Sequence, residues 1–183
     1  MPEDNTELDL IIQAQQGDRQ AFGELVRRHR AGVVNVVYRM SGDANLAEDA
    51  AQEAFIRAWQ HLPSYRPRSP FRNWLYRIAN NAALDALRRE KETVNIDDLP
   101  LADPGELPEA TLEGKQQAEF VQEAVLALPP ASRAVLILRE YEGLSYKEIA
   151  ETLDIPLGTV MSRLNYARKR MLEMLTPHLE GVR

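Results

Sequence analysis

The spacing of apolar residues most strongly limits what this chain can fold into. Apolar side chains recur at intervals of three and four, as in Leu46, Ala50, Ala54, Ala58 and Leu62. A helix of 3.6 residues per turn brings such positions onto one face, whereas a strand requires alternation at every second residue. No run of alternating β-branched residues supports a sheet. We therefore predict an all-α fold.

Helix-ending and helix-capping residues separate the predicted helices. Gly17 and Asp18 end one helix and cap the next, and two consecutive prolines interrupt the helix that ends at Leu128. The pattern predicts helices near residues 6–16, 19–40, 44–62, 71–91, 113–127, 131–142, 146–153 and 158–175.

A segment of different composition divides the chain. Residues 93–115 are rich in proline and contain six acidic residues against one basic residue, a net charge of −5. Such a composition is typical of a linker. The sequence therefore predicts two small helical domains, residues 1–92 and 116–183, joined by a flexible acidic linker at 93–115.

Several functional classes lack their signatures in this sequence. There is no cysteine, which excludes disulfides and cysteine-based zinc sites. His29, His61 and His178 are scattered, and no glycine-rich phosphate loop is present. The longest apolar runs are five residues, against about 20 for a membrane span. The acidic start does not resemble a signal peptide. We expect a cytoplasmic protein that is not an enzyme and binds no metal or cofactor.

The distribution of charge favours a nucleic-acid partner although the net charge is −6. Residues 57–91 contain eight basic residues against two acidic ones, and residues 157–172 contain four basic residues and no acidic one. Local basic surfaces, rather than the total charge, decide whether a protein can bind phosphates.

The second basic segment follows a helix-turn-helix pattern. Ser145 and Glu148 form a capping box, and residues 154–156 allow only a tight turn before the next helix. That helix can lie in the major groove, with early residues at base edges and later cations on phosphates. An ordinary helical hairpin with a solvated basic face is the alternative. The candidate DNA-binding residues are Thr159, Ser162, Arg163, Tyr166, Arg168 and Arg170.

The first basic segment is rich in aromatic residues. Six of the twelve aromatic side chains lie between Phe55 and Tyr76. Cations that follow a backbone and rings that stack on unpaired bases suit single-stranded nucleic acid. The loop at residues 63–70 contains three prolines and could form a wall for an extruded base. The alternative places Phe55, Phe71 and Trp74 in the core and leaves the cations solvated. The candidate residues are Tyr65, Arg66, Arg68, Asn73, Arg77, Asn80, Asn81 and Arg88.

One acidic helix face precedes this segment. Asp49, Gln52 and Glu53 share a polar face, with no histidine nearby for acid–base catalysis. A solvated face or a docking surface for another protein is the preferred interpretation.

Three segments together resemble one protein family. They are DAAQEAFIRAW at residues 49–59, FRNWLYRIANN at 71–81, and GLSYKEIA at 143–150 followed by GTV at 158–160. In this order they resemble the extracytoplasmic-function (ECF) sigma factors of bacterial RNA polymerase, which belong to the sigma-70 family. The resemblance implies a region 2 domain, a linker and a region 4 domain that serve promoter-specific transcription initiation.

The resemblance also implies roles for individual residues. Asp49, Gln52 and Glu53 would dock on the β′ clamp helices of core RNA polymerase. The loop at residues 65–70 and Asn81 would hold a flipped base of the promoter −10 element. Region 4 would read the −35 element and sit on the β flap, and an anti-sigma factor would hold both domains in the resting cell. Met161 and Tyr166 depart from the basic residues that many relatives carry on the reading face.

Linker length predicts that core polymerase is needed for promoter binding. Twenty-three residues reach about 76 Å when fully extended. As a relaxed coil they span about 27 Å. Two sites two duplex turns apart require about 70 Å, so a scaffold must stretch the linker. The alternatives are a sigma mimic that sequesters an anti-sigma factor, and a stand-alone helix-turn-helix repressor.

Overall fold

The computed structural model describes residues 6–93 and 112–180, and its described residues form an all-α protein, as predicted. The helices are α1 Glu7–Gln15, α2 Arg19–Ser41, α3 Ala44–His61, α4 Phe71–Thr93, α5 Leu112–Leu126, α6 Pro130–Glu140, α7 Tyr146–Leu153 and α8 Leu157–Glu180, with a 3₁₀ turn at Leu62–Ser64.

The helix bounds lie close to those predicted from the sequence. The largest difference is at α8, which continues beyond residue 175 to Glu180 with Pro177 inside it. The predicted linker at 93–115 falls mainly outside the described residues, and α5 begins within it at Leu112. Among the helices of the described ranges, none has both the length and the apolar character that a membrane span requires.

The residues that cap the helices act through side-chain hydrogen bonds. The Asp18 carboxylate accepts hydrogen bonds from the first backbone amides of α2, and Asp43 does the same for α3. Ser145 and Glu148 form the complete capping box of α7. Gly42 ends α2 in the left-handed region, at φ 74°. Local sequence therefore fixes where these helices begin and end.

Helices α1–α4 form the N-terminal domain. The inner face of α3 is built of alanines, so that α2 and α4 approach it closely. Aromatic residues fill the region next to the 3₁₀ turn, where Phe71 is 2% exposed. Small residues on α3 and large ones beside it allow a tightly packed core.

Helices α5–α8 form the C-terminal domain. Helices α7 and α8 are joined by a turn in which Asp154 adopts a left-handed conformation, at φ 54°. Ile149 of α7 packs into the core with Val160, Leu164 and Ala167 of α8, and each of these four residues is at most 1% exposed. This is the predicted helix-turn-helix.

The two domains contact each other. Helix α2 packs on α5 and α6, and α4 packs on α7. Arg133 of α6 is buried, and its guanidinium donates hydrogen bonds to the backbone carbonyls of Met40, Leu126 and Leu128. An arginine of the C-terminal domain thus satisfies carbonyl groups at the C-terminal ends of both α2 and α5.

Candidate nucleic-acid interfaces

The first candidate surface is the outer face of α8. Ser162, Tyr166 and Arg170 are exposed, while Thr159 and Arg163 are half-buried at its margin. Tyr166 is 45% exposed. Five of the six residues predicted for the −35 element therefore share one side of α8, whereas Arg168 lies on the side that faces α6 and α7.

Two of the three arginines on this surface form ion pairs within the domain. Arg168 binds the Glu140 carboxylate at 2.6 Å and reaches the Tyr146 hydroxyl at 3.4 Å. Glu140 raises the pKa of Arg168 above its ordinary value. Arg170 binds Glu173 at 2.7 Å. Within the described part of the chain, Arg163 forms no ion pair, so its charge is the most readily available to a phosphate.

Exposed apolar residues accompany these cations. Leu157 is 49% exposed and Met161 is 47% exposed, one turn apart at the start of α8. Met161 therefore lies on the accessible part of the helix, as the sequence led us to expect.

The second candidate surface is the loop that precedes α4. Tyr65 is only 5% exposed, because its ring packs on Phe71 and Trp74 at centroid distances of 5.4 and 4.9 Å. Arg66 and Arg68 are exposed at the tip of the loop. The tyrosine thus supports the loop from inside and does not present its ring to solvent. The Arg66 guanidinium donates hydrogen bonds to the Pro63 and Tyr65 carbonyls of the same loop.

The polar residues predicted for one face of α4 fall into two groups. Arg77, Asn81 and Arg88 are exposed, whereas Asn73 and Asn80 are at most 6% exposed. The predicted residues cover a wide sector of α4. Asn73 and Asn80 lie at one side of this sector and face the protein interior. The side-chain oxygens of both buried asparagines accept no hydrogen bond from any described residue.

Three carboxylates of the C-terminal domain meet α4. Glu148 accepts a hydrogen bond from the Asn73 amide at 3.3 Å, and Asp154 lies 3.5 Å from the Arg77 guanidinium. Tyr76 donates a hydrogen bond to Glu142, and burial together with this contact raises the pKa of Tyr76. Part of the candidate −10 surface is therefore covered by the helix-turn-helix in this arrangement.

Sequence reasoning missed these carboxylates as partners of α4. Each lies more than 60 residues from its partner along the chain. Arg133 was missed too, although a cation directly before the apolar run at residues 134–138 is an unusual pattern.

The third candidate surface is an acidic groove between α3 and α4. Asp49 and Gln52 are exposed, and Glu53 binds Arg57 at 2.8 Å. The groove is lined by Asp43, Asn45, Leu46, Asp49, Ala50, Glu53, Ala86, Arg89 and Glu90. Burial and the nearby Asp43 carboxylate raise the pKa of Glu90. Carboxylates around an apolar floor fit a partner segment that carries cations and apolar side chains.

Comparisons with known proteins place both domains in one family. Residues 25–93 match the model of Sigma-70 region 2, and residues 120–171 match the model of Sigma-70 region 4. The first match contains α3, the loop and α4, and the second contains the helix-turn-helix.

Similar proteins match over nearly the full chain. The ECF RNA polymerase sigma factor SigW of Bacillus subtilis is 34% identical over 176 residues, covering 90% of this chain and 94% of that protein. The ECF RNA polymerase sigma-E factor of Escherichia coli K12 is 37% identical over 190 residues, covering 97% and 98%.

One solved structure has the same arrangement of helices. CnrH, solved in complex with the cytosolic domain of CnrY, superimposes with a TM-score of 0.71 at 26% identity. The superposition covers 92% of this chain and 96% of CnrH.

Proposed function

This chain belongs to the extracytoplasmic-function sigma factors of the sigma-70 family, and we propose that it directs promoter-specific transcription initiation as a non-catalytic subunit of bacterial RNA polymerase. The observation that carries this proposal is the order of the matched regions, each of which coincides with one helical domain and its candidate surface. Region 2 contains the acidic groove and the loop, and region 4 contains the basic helix α8.

The N-terminal domain, residues 1–92, would bind core polymerase and open the −10 element. Asp49 and Glu53 of the acidic groove, together with the exposed Gln52, would dock on the β′ clamp helices. Asn81 is exposed on α4, and an amide can both donate to and accept from the edge of an extruded base. The exposed arginines of the loop and of α4 would follow the phosphates of the separated strand.

The C-terminal domain, residues 116–183, would read the −35 element as duplex and contact the β flap. Ser162 and Thr159 lie in the first turns of α8, where a recognition helix approaches base edges. Arg163, Arg168 and Arg170 would bind phosphates, and Tyr166 is exposed on the same helix. The acidic linker would pass through a channel of the polymerase that is otherwise suited to nucleic acid.

A protein partner would control this activity in the cytoplasm. CnrH was solved together with the cytosolic domain of a second protein, CnrY. For this chain we propose that the partner is an anti-sigma factor, which contacts both domains and competes with core polymerase for the acidic groove.

In vitro transcription from a genomic library with purified core polymerase tests the proposal. Added chain should produce new transcripts whose start sites share −35 and −10 sequences. An Asp49→Lys variant should abolish these transcripts, since it reverses one charge of the groove, while Glu119→Lys at an exposed position of α5 serves as the matched control. A library in which the chain adds no start site would contradict the proposed function.

A further inference from the structure

Helix α1 is fixed to the N-terminal domain at both of its ends, although it lies before the region 2 match at residues 25–93. Its first turn is held by Glu7, whose carboxylate lies 2.6 Å from His29 Nε2. Its middle buries Leu10, Ile11 and Ala14 in the core. The helix therefore offers a rigid support, and its last residue, Gln15, lies next to the loop at residues 62–70.

The Gln15 amide binds that loop at two points. Its Nε2 group donates one hydrogen bond to the Leu62 carbonyl and one to the Tyr65 carbonyl, both at 3.0 Å. The two carbonyls belong to the first residue of the 3₁₀ turn and to the residue that caps its C-terminal end. Each carbonyl also has a second donor, the Tyr65 amide for Leu62 and the Arg66 guanidinium for Tyr65. Gln15 is the donor that joins both points of the turn to α1.

The other end of the loop is fixed by Tyr65. Its hydroxyl donates a hydrogen bond to the Ser69 carbonyl at 2.9 Å, and its ring is buried. The tip of the loop, Arg66, Pro67 and Arg68, is exposed between Tyr65 and Ser69. Gln15 holds the entry of the loop, and the path of the tip depends on it.

We propose that Gln15 is a positioning residue for capture of the flipped −10 base. The inference rests on the proposed function, in which the loop at residues 65–70 forms one wall of the base pocket. Gln15 does not touch the base. It holds the start of the loop on α1, and a base pocket requires its walls in place before the base arrives.

Replacement by methionine tests this role in the holoenzyme. Gln15→Met keeps an unbranched side chain of similar length and removes both donors. Gln16→Met is the matched control, because Gln16 is the exposed neighbour just beyond the same helix. Gln15→Lys is the conservative variant, because its ammonium group can still donate to both carbonyls.

The readout is the affinity for a pre-melted promoter that carries either the normal base or an abasic site at the flipped position. Wild type and Gln16→Met should prefer the normal base by roughly tenfold, equivalent to about 1.4 kcal/mol. Gln15→Met should lose most of this preference, and Gln15→Lys should keep it. Binding to core polymerase and to −35 duplex should be unchanged in all variants.

The outcomes separate this inference from the function on which it depends. A wild-type holoenzyme that binds both promoters equally would contradict the proposed base pocket itself. If wild type shows the preference and Gln15→Met retains it in full, the positioning role is wrong. Equal loss of the preference in Gln15→Met and Gln15→Lys would also overturn it, because the donors would then not matter. Should Gln15→Met fold poorly, Gln15→Ala takes its place, because alanine also removes both donors and is expected to lose the preference.

Discussion

Asn81 differs from the other asparagines of α4 in its surroundings. Asn73 and Asn80 are enclosed by the protein, whereas Asn81 is exposed next to them in the sequence. An exposed amide can meet the polar edge of a base, and a buried one cannot do so without rearrangement. The residue proposed for the base pocket is therefore the one that the structure leaves accessible.

Asn81→Ala should impair opening of the −10 element and relax base preference at one position. Alanine offers neither a donor nor an acceptor to the base edge. Permanganate footprinting of the promoter bubble measures the effect, with binding to core polymerase and to −35 duplex as controls that stay unchanged. Full melting with the same −10 preference would show that Asn81 has no pocket role.

Alanine at Arg163 or at Arg168 should weaken promoter affinity of the holoenzyme by about 1–3 kcal/mol. Arg163 would lose a phosphate contact, and Arg168 would lose both such a contact and its link to Glu140. Equilibrium binding to promoter duplex checks this, with Arg19→Ala at an exposed position of α2 as a control. Unchanged affinity in both variants would show that the basic face of α8 is only solvated and does not bind promoter DNA.

At the scale of helices, local signals in the sequence were sufficient for the fold but not for the contacts between domains. Apolar spacing and capping residues predicted each helix to within a few residues, because both act over one or two turns. The contact between Asn73 and Glu148 joins residues 75 apart. Nothing in the local pattern of either helix indicates such a partner, and so two of the three asparagines that we placed on an accessible face proved to be buried.

Burial of Tyr65 shows the same limit within the N-terminal domain. The sequence placed it in a proline-rich loop, which favours exposure, yet its ring completes a cluster with Phe71 and Trp74. Tertiary packing decides between stacking on a base and packing in the core, and the sequence alone left both open.

Arg133→Met should lower the free energy of unfolding by about 3 kcal/mol, since it leaves several backbone carbonyls without a donor in a buried position. Urea denaturation monitored by circular dichroism measures this loss. The exposed substitution Lys147→Met should change stability little. A loss below about 0.5 kcal/mol for Arg133→Met would mean that water or another side chain replaces the guanidinium.

At the scale of the whole molecule, the contact between domains bears on how promoter DNA is engaged. The C-terminal domain contacts Asn73, Tyr76 and Arg77 of α4, which lie within or beside the candidate −10 surface. The two candidate DNA surfaces would have to move apart from each other before they could bind the −10 and −35 promoter elements, which are about 70 Å apart. Core polymerase, by binding the acidic groove and stretching the linker, would supply that separation.

The most direct test of this account compares promoter binding by the chain alone and by the holoenzyme at physiological salt. Fluorescence anisotropy with a labelled promoter and a scrambled duplex gives both affinities. The holoenzyme should bind the promoter with clear sequence preference, and the chain alone should bind both duplexes weakly and equally. Tight, sequence-specific promoter binding by the isolated chain would contradict the account.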